Sequence, residues 1–394
     1  MSEWKECKLG EHVFINSRSV DKNYQYKEIE YLDTGSITRG KIESLQRFKL
    51  ADAPSRAKRI VKDNDIVLSM VRPIQRHYGY LRNTQPNTVV STGFVVLTNK
   101  ESIDPYFLYS FLTQDDTTEY LDVVAEGSTS AYPAFTPDVV ENLSILLPPL
   151  PEQRAIAGVL SSLDDKIDLL HRQNKTLEGM AEALWRKMFV EEADPRWKKG
   201  KLGDYLQIQG GYAFKSSDFR DSGEIRIIKI TNISDGLVDI VNTQFVDRKN
   251  VDNLDWKFKI ITGSILIAMT GAEIGKIGIV EKTDKEIWLN QRVGMFRETK
   301  KYGNLLGFLA LNSDEGQEHI LSSATGSAQA NISSTGIEDF EMPIVPDSIL
   351  YAFGIAVQPF FERICFNLGQ IHTVSRLRDA LLPKLMSGEV RVKL

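Results

Sequence analysis

The chain is written twice. Trp4-Lys5 followed by Lys8-Leu9-Gly10-Glu11 returns as Trp197-Lys198 followed by Lys201-Leu202-Gly203-Asp204, an offset of 193 residues. Gly127-Ser128 returns as Gly326-Ser327 at an offset of 199, and Asp165-Lys166-Ile167 is echoed by Glu362-Arg363-Ile364 at 197. With 394 residues in all, one unit and its copy account for the whole length. A repeat this long makes two domains rather than a stack of small modules. Two similar domains on one chain form a pseudo-dimer, which suits a target that itself has two parts.

Each half is large enough for its own core. No uninterrupted apolar run approaches the roughly 18 residues that span a bilayer, and Met1-Ser2-Glu3-Trp4-Lys5 lacks the apolar stretch of a signal peptide. Cys7 and Cys365 are the only cysteines, so a disulfide framework is not expected and a reducing cytoplasm fits. The net charge of −5 argues mildly against nucleic acid, but distribution matters more than the sum. Between Arg39 and Arg82 eleven basic residues face four acidic ones, a local charge of +7 that includes Lys58 and Arg59. A solvated loop region accounts for this equally well.

Each unit divides into a β-rich part and a long helix. Asp65–Leu68, Val89-Val90 and Phe94–Leu97 read as short buried strands in the first, as do Ile225–Ile230, Ser264–Ala268 and Ile277–Val280 in the second. Short helices at Pro105–Thr113 and Leu305–Leu311 pack on these sheets. The pattern is mixed α+β, and its topology does not follow from it.

The long helices are plainer. Ile156, Leu160, Leu163, Ile167, Leu170, Asn174, Leu177, Ala181, Leu184 and Met188 are spaced 4-3-4-3. So are Phe353, Val357, Phe360, Ile364, Asn367, Ile371, Val374, Arg378, Leu381 and Leu385. Both are heptad seams, the signature of a coiled coil. Pro148, Pro149 and Pro151 precede the first helix, Asp347-Ser348 offers an N-cap for the second, and Gly388 offers a C-terminal stop. A helix of this length extends about 55 Å at 1.5 Å per residue. Two helices each packed on its own domain are the alternative, but a small domain cannot cover so long a seam. An antiparallel pair would make the helices a ruler between the domains. The boundaries expected are 1–150 and 191–345 for the two domains, with helices at 151–190 and 346–394.

Catalytic constellations are missing from the sequence. The five histidines are scattered without metal-ligand spacing. Gly271-Ala272-Glu273-Ile274-Gly275-Lys276 is one residue short of a phosphate loop, and Ile277 stands where a magnesium-binding hydroxyl belongs. No Gly-x-Gly-x-x-Gly follows a strand, no Asn/Asp-Pro-Pro-aromatic run of an adenine methylase occurs, and no serine sits in a nucleophile elbow.

The loops carry residues suited to reading nucleic acid. Ser69-Met70-Val71-Arg72-Pro73 follows a strand, with Arg76-His77-Tyr78 beyond, and Thr92 and Tyr132 lie in further Gly- and Ser-rich loops. In the second unit Tyr212, Phe214 and Lys215 form an aromatic and basic segment, and Thr270 and Lys276 flank the glycine loop. Asn290-Gln291-Arg292, Gln329 and Asn331 can pair with base edges: arginine grips guanine and amides suit adenine. For any single loop an ordinary turn is the simpler account. The repetition of such loops in matching places favours the functional one.

These features resemble the specificity subunit of type I restriction-modification enzymes over essentially the whole chain. The lead-in Leu150-Pro151-Glu152-Gln153-Arg154, Gly211–Phe219, Met269–Gly278 and Leu289-Asn290-Gln291-Arg292-Val293 carry the resemblance. The second helix departs from it, with Pro346-Asp347-Ser348 in place of Pro-Glu-Gln. The resemblance implies an α+β chain of two β-rich target-recognition domains, separated by two antiparallel coiled-coil helices in an internal pseudo-twofold repeat. It implies recognition of double-stranded DNA with a bipartite target, and no catalysis, metal or cofactor in this chain. Two modification subunits would methylate adenine with S-adenosylmethionine, and ATP-driven restriction subunits could join them. The competing expectation is a coiled-coil scaffold that binds proteins.

Overall fold

A computed structural model of the chain describes residues 4–128, 132–234, 236–326 and 330–393. Two compact units emerge: Met1–Asp165 together with Ser375–Leu394, and Lys166–Val374. Each long helix therefore contributes one stretch to either unit.

In the first unit the apolar runs become strands buried on both faces, as short continuous apolar segments should. One sheet runs in the order Gln46–Lys49, Glu28–Leu32, Thr88–Ser91, Ala57–Ile60. Its central pair is parallel and its outer pairs antiparallel. A second, antiparallel sheet has the order Val13–Ile15, Phe94–Asn99, Ile66–Ser69, Tyr78–Tyr80. The hairpin Ile37–Thr38/Lys41–Ile42 lies against its last strand, with Gly40 N donating to Tyr78 O at 2.8 Å.

The second unit repeats this plan. Gln244–Val246, Ile225–Ile228, Ile287–Leu289 and Lys259–Ile260 follow the same order with the same parallel central pair, and Phe219–Arg220 is added at the edge. The other sheet runs Leu206–Gly210, Val293–Glu298, Ile265–Ala268, Ile277–Ile279, and here the hairpin strands Gly236–Val238 and Ile233–Ser234 join it outright. A two-stranded ribbon closes each unit: Lys5–Lys8 with Ser144–Leu147, and Lys198–Lys201 with Glu341–Ile344.

The two short helices expected from the sequence form as Pro105–Leu112 and Gly303–Asn312, each followed by two further short helices, Asp115–Glu126 and Pro137–Glu141 in the first unit and Asp314–Ser323 and Ser334–Glu338 in the second. Asp104 caps the first, accepting from the Tyr106 and Phe107 amides, with Pro105 at its first position. Thr113 falls outside it as the C-cap.

The long helices are Leu150–Arg186 and Asp347–Met386. Pro151 lies in the first turn of its helix rather than ahead of it. Asp347 begins the second helix rather than capping it, and pairs with Lys300 at 3.1 Å. Gly388 follows with φ +75, the left-handed conformation of a helix stop. Every position of both seams is buried or half-buried. Ile156, Leu160 and Leu385 enter the first unit's core beside Phe107 and Val95, while Ala181, Phe353, Val357 and Ile364 enter the second's. Asp347–Met386 is also long and apolar enough, at a mean hydropathy of 1.3 over 18 residues, to cross a membrane. Averaged hydropathy registers what a count of uninterrupted apolar residues misses. In this structure its seam residues Phe353, Val357 and Ile364 are buried in the core of the second unit.

The Leu-Pro-Glu-Gln lead-in has a structural reason. Gln153 is buried, its amide donating to Pro148 O at 2.8 Å and its oxygen accepting from the Asp104 amide at 2.8 Å. It thereby ties the helix start to the cap of Pro105–Leu112. Glu152, also buried, accepts from Arg391 Nη2 at 2.8 Å and Trp4 Nε1 at 3.3 Å.

Candidate nucleic-acid interface

In the first unit three loops meet beyond the strand Ile66–Ser69. Met70 N donates to Gly93 O at 2.9 Å, and Arg72 N to Pro133 O at 3.0 Å, while Val71 and Ala134 form an antiparallel bridge. Thr92 N donates to Arg56 O at 2.9 Å, which adds the strand carrying Lys58 and Arg59 to the group. Arg72, Lys58 and Tyr132 are exposed there, Tyr132 by 68%. Thr92 and Arg59 are half-buried, and the buried Arg59 Nε has no partner among the described residues.

Other candidates in this unit serve the scaffold. Ser69 is buried, and its hydroxyl donates to Val71 O at 3.1 Å and accepts from Val71 N at 3.3 Å, which shapes the turn. Tyr78 is buried edge-on against Tyr109. His77 Nδ1 lies 2.7 Å from Ile37 O, and Arg76 is paired with Asp115 at 2.8 Å. Loop propensity selects polar residues near a turn but not the side they face, so these inward residues read like the outward ones.

The second unit builds the same junction from other side chains. Met269 N donates to Arg292 O and Gly271 N to Ala330 O, both at 2.9 Å, and Thr270 bridges Asn331. Gln291 N donates to Tyr212 O at 2.8 Å, and Tyr212 bridges Asn290. A Cβ on Gly211 would lie 2.0 Å from Asn290 O, so this approach requires glycine. Tyr212, Gln291 and Arg292 are exposed, and Arg292 Nη1 donates to Asn331 Oδ1 at 3.0 Å. Asn290 is buried, with an Oδ1 that has no partner among the described residues.

Phe214 and Thr270 turn inward, against the expectation that they contact DNA. Phe214 packs on Tyr212 and Phe219, and Thr270 Oγ1 donates to Ala330 O at 3.0 Å. Lys215 is exposed, and Lys276 pairs with Glu273 at 2.5 Å across the glycine loop, which forms a tight turn. Gln329 lies outside the described residues, as do Thr129, Ser130, Ala131, Ser327 and Ala328. Among the described residues no cluster of three or more His, Cys, Asp or Glu could hold a metal ion.

The backbones of the two junctions correspond. Asn64, Arg72 and Arg76 have φ of 67, 47 and 58, and Gly263, Gly271 and Gly275, each 199 residues on, have φ of 79, 74 and 84. Left-handed backbone costs a non-glycine residue about 1 kcal/mol. The first unit thus holds two arginines where its repeat uses glycine. No sequence signal announces this, because arginine is not a turn-marking residue. Trp256, exposed and followed by Lys257 and Lys259, also escapes any periodicity argument.

A duplicated α+β fold, with a junction of loops in each copy presenting a cation and an aromatic ring, defines a protein of two related domains. The sequence matches the type I restriction modification DNA specificity domain over residues 1–179 and 195–350, and the chain belongs to that family. It is 26% identical to the Type I restriction enzyme HindI specificity subunit of Haemophilus influenzae, covering 99% of this chain and 100% of that one. It is 27% identical to the MjaIX specificity subunit of Methanocaldococcus jannaschii, over 85% of this chain and 79% of the other. The crystal structure of a Type-I restriction-modification system S subunit from M. genitalium has the same fold, with a TM-score of 0.58 and 16% identity across 97% and 96% of the two chains. Recognition of DNA sequence for a type I restriction-modification system is the function of this chain, which contributes address rather than catalysis.

Proposed function

We propose that the two units read the two halves of a bipartite, asymmetric DNA target. The observation that carries this is the exchange of side chains at equivalent backbone positions. Arg72 stands where the repeat has Gly271, Gly93 where it has Arg292, and Ala134 where it has Asn331. A guanidinium on a different loop meets a different base, so equivalent frames read different half-sites. Lys58, Arg59, Arg72, Thr92 and Tyr132 serve the first half-site. Tyr212, Lys215, Gln291, Arg292 and Asn331 serve the second.

The two long helices pair as an antiparallel coiled coil in this reading, with the globular domains at 1–150 and 191–345. They set the gap between half-sites at about one helical turn, which lets both domains face one side of the duplex. Support comes from the buried seams and from two polar contacts between the helices, Asn174 with Asn367 and Asp164 with Arg378. The helices also hold two modification subunits, which bind S-adenosylmethionine and methylate adenine. Restriction subunits bring ATP-driven translocation, and the assembly works in the cytoplasm.

The test is to co-express the chain with its modification subunit in a methylation-free host and map modified adenines across the genome. One gapped motif with two unlike halves is expected. A short continuous motif, or a palindromic one, would overturn the reading.

A further inference from the structure

Trp256 is 72% exposed, more than any other large hydrophobic side chain among the described residues. Leaving an indole in water forgoes a large hydrophobic gain, tryptophan is enriched at interfaces, and a fixed backbone lowers the cost of ordering it on binding. The backbone here is fixed. Asp255 accepts from the Lys257 amide at 2.9 Å and caps the turn Trp256–Phe258, and Arg297 Nη2 donates to Lys257 O at 2.7 Å. Phe258 packs edge-on against Tyr212, with ring centres 5.7 Å apart. Gln291 N donates to Tyr212 O at 2.8 Å, so the turn that carries Trp256 is linked through Phe258 and Tyr212 to the loop of Gln291 and Arg292.

Its neighbours are cationic. Lys259 Nζ lies 4.2 Å from the centre of the Trp256 ring, and Lys257 Nζ lies 5.1 Å from that of Phe258 and 3.5 Å from Asp255. From Asp247 to Lys259 four basic residues stand against three acidic ones, with Arg248 paired to Glu286 at 2.8 Å and Lys249 lying 3.9 Å from Asp247. In the strand ladders Lys259 faces Trp288 as Ile60 faces Val89. By the same sequence offset Trp256 and Lys257 align with Ala57 and Lys58, although Trp256–Phe258 is a 3-10 turn and Ala57–Ile60 a strand. The basic position is shared by the two units, and the aromatic one belongs to the second alone.

We propose that Trp256, Lys257 and Lys259 form a DNA contact of the second recognition domain that the first lacks. The indole packs against deoxyribose and base edges beside the second half-site, as apolar wedges do in a groove, and the two ammonium groups neutralise phosphates. The proposal rests on the reading that the second unit serves one half-site. Its occupant is duplex DNA rather than a protein, because of the ammonium groups of Lys257 and Lys259 beside the indole and the link through Phe258 and Tyr212 to the loop of Arg292.

The experiment measures binding of the assembled complex with its modification subunit to a duplex carrying the mapped target, across a salt series. Trp256→Ala should weaken binding about tenfold, and Trp256→Phe should recover most of the loss. Lys257→Ala with Lys259→Ala should reduce the salt slope by about 2. Being exposed, Trp256 can be replaced without loss of the fold, which an unchanged melting temperature verifies. Unaltered affinity in Trp256→Ala, with a wild type that discriminates the second half-site, overturns the proposal alone. Weakened subunit assembly with unaltered DNA affinity also overturns it, and makes the patch a protein contact. A wild type indifferent to the second half-site overturns the reading beneath it as well.

Discussion

Asn367 Nδ2 donates to Asn174 Oδ1 at 2.8 Å, joining the two seam asparagines in the second unit. Both are buried, and Asn367 Oδ1 has no partner among the described residues. A polar pair in an apolar seam lowers stability but penalises every alignment that separates the two amides. Asn367→Leu alone should cost about 1–3 kcal/mol, because it strands the Asn174 amide. The double change to leucine should recover that loss or exceed it while relaxing the register. Urea denaturation checks the stability, and light scattering checks whether the double variant populates additional association states.

A second polar device lies where Glu152 meets Arg391 and Trp4 in the first unit. The carboxylate is almost wholly buried, so its cation is needed more than a surface partner would be. Arg391→Met should destabilise this unit by about 2 kcal/mol. Adding Glu152→Gln should return part of the loss, since a neutral amide tolerates burial better. A double-mutant cycle on the unfolding midpoint measures this coupling.

What could be read from the sequence was local. The strand Phe94–Asn99 is buried on both sides and therefore appears as an apolar run. Leu163 and Phe360 fall on heptads because a helix repeats its face regardless of what covers it. The parallel pairing of Glu28–Leu32 with Thr88–Ser91 was not readable, since it joins segments far apart in sequence without a local turn to declare it. The candidate sites divide in the same way. Loop membership was legible for Arg72, Tyr132 and Arg292, but the inward facing of Ser69, Tyr78, Phe214 and Thr270 depends on neighbours from other strands. Trp256 needed the structure because exposure is not a sequence property.

Glu281 and His372 give a pH dependence with a definite sign. Burial raises the Glu281 carboxyl above its ordinary 4.5, opposed by the hydrogen bond to His372 Nδ1 at 2.8 Å, and nearby Asp239 raises it further. A carboxyl raised by folding favours the fold in its protonated form. Its contribution is complete below 4.5 and is lost as pH climbs through the raised value. Glu281→Gln should therefore melt higher than wild type at about pH 7.5 and match it below about pH 4. His372→Ala should melt lower at about pH 7.5, with the buried carboxylate left unpartnered. Melting curves across this range decide both.

Arg72 and Arg292 test the division of labour between the units most directly. Arg72 is held by a left-handed backbone and a bond to Pro133, and Arg292 by a left-handed backbone and Asn331. The Arg292 guanidinium is thus held by a side-chain bond and the Arg72 loop by its backbone, a preorganisation that favours base-edge recognition over a loose phosphate contact. Arg72→Ala should relax discrimination at one position of the first half-site only, by about 1–3 kcal/mol, and Arg292→Ala should do so at one position of the second. Lysine at either place should retain the charge but not the bidentate grip, so affinity for non-specific DNA should fall less than specificity does. Binding to a panel of duplexes mutated one base pair at a time measures the pattern. A uniform loss across all sequences, with a shallower salt slope, would assign that arginine to a phosphate instead.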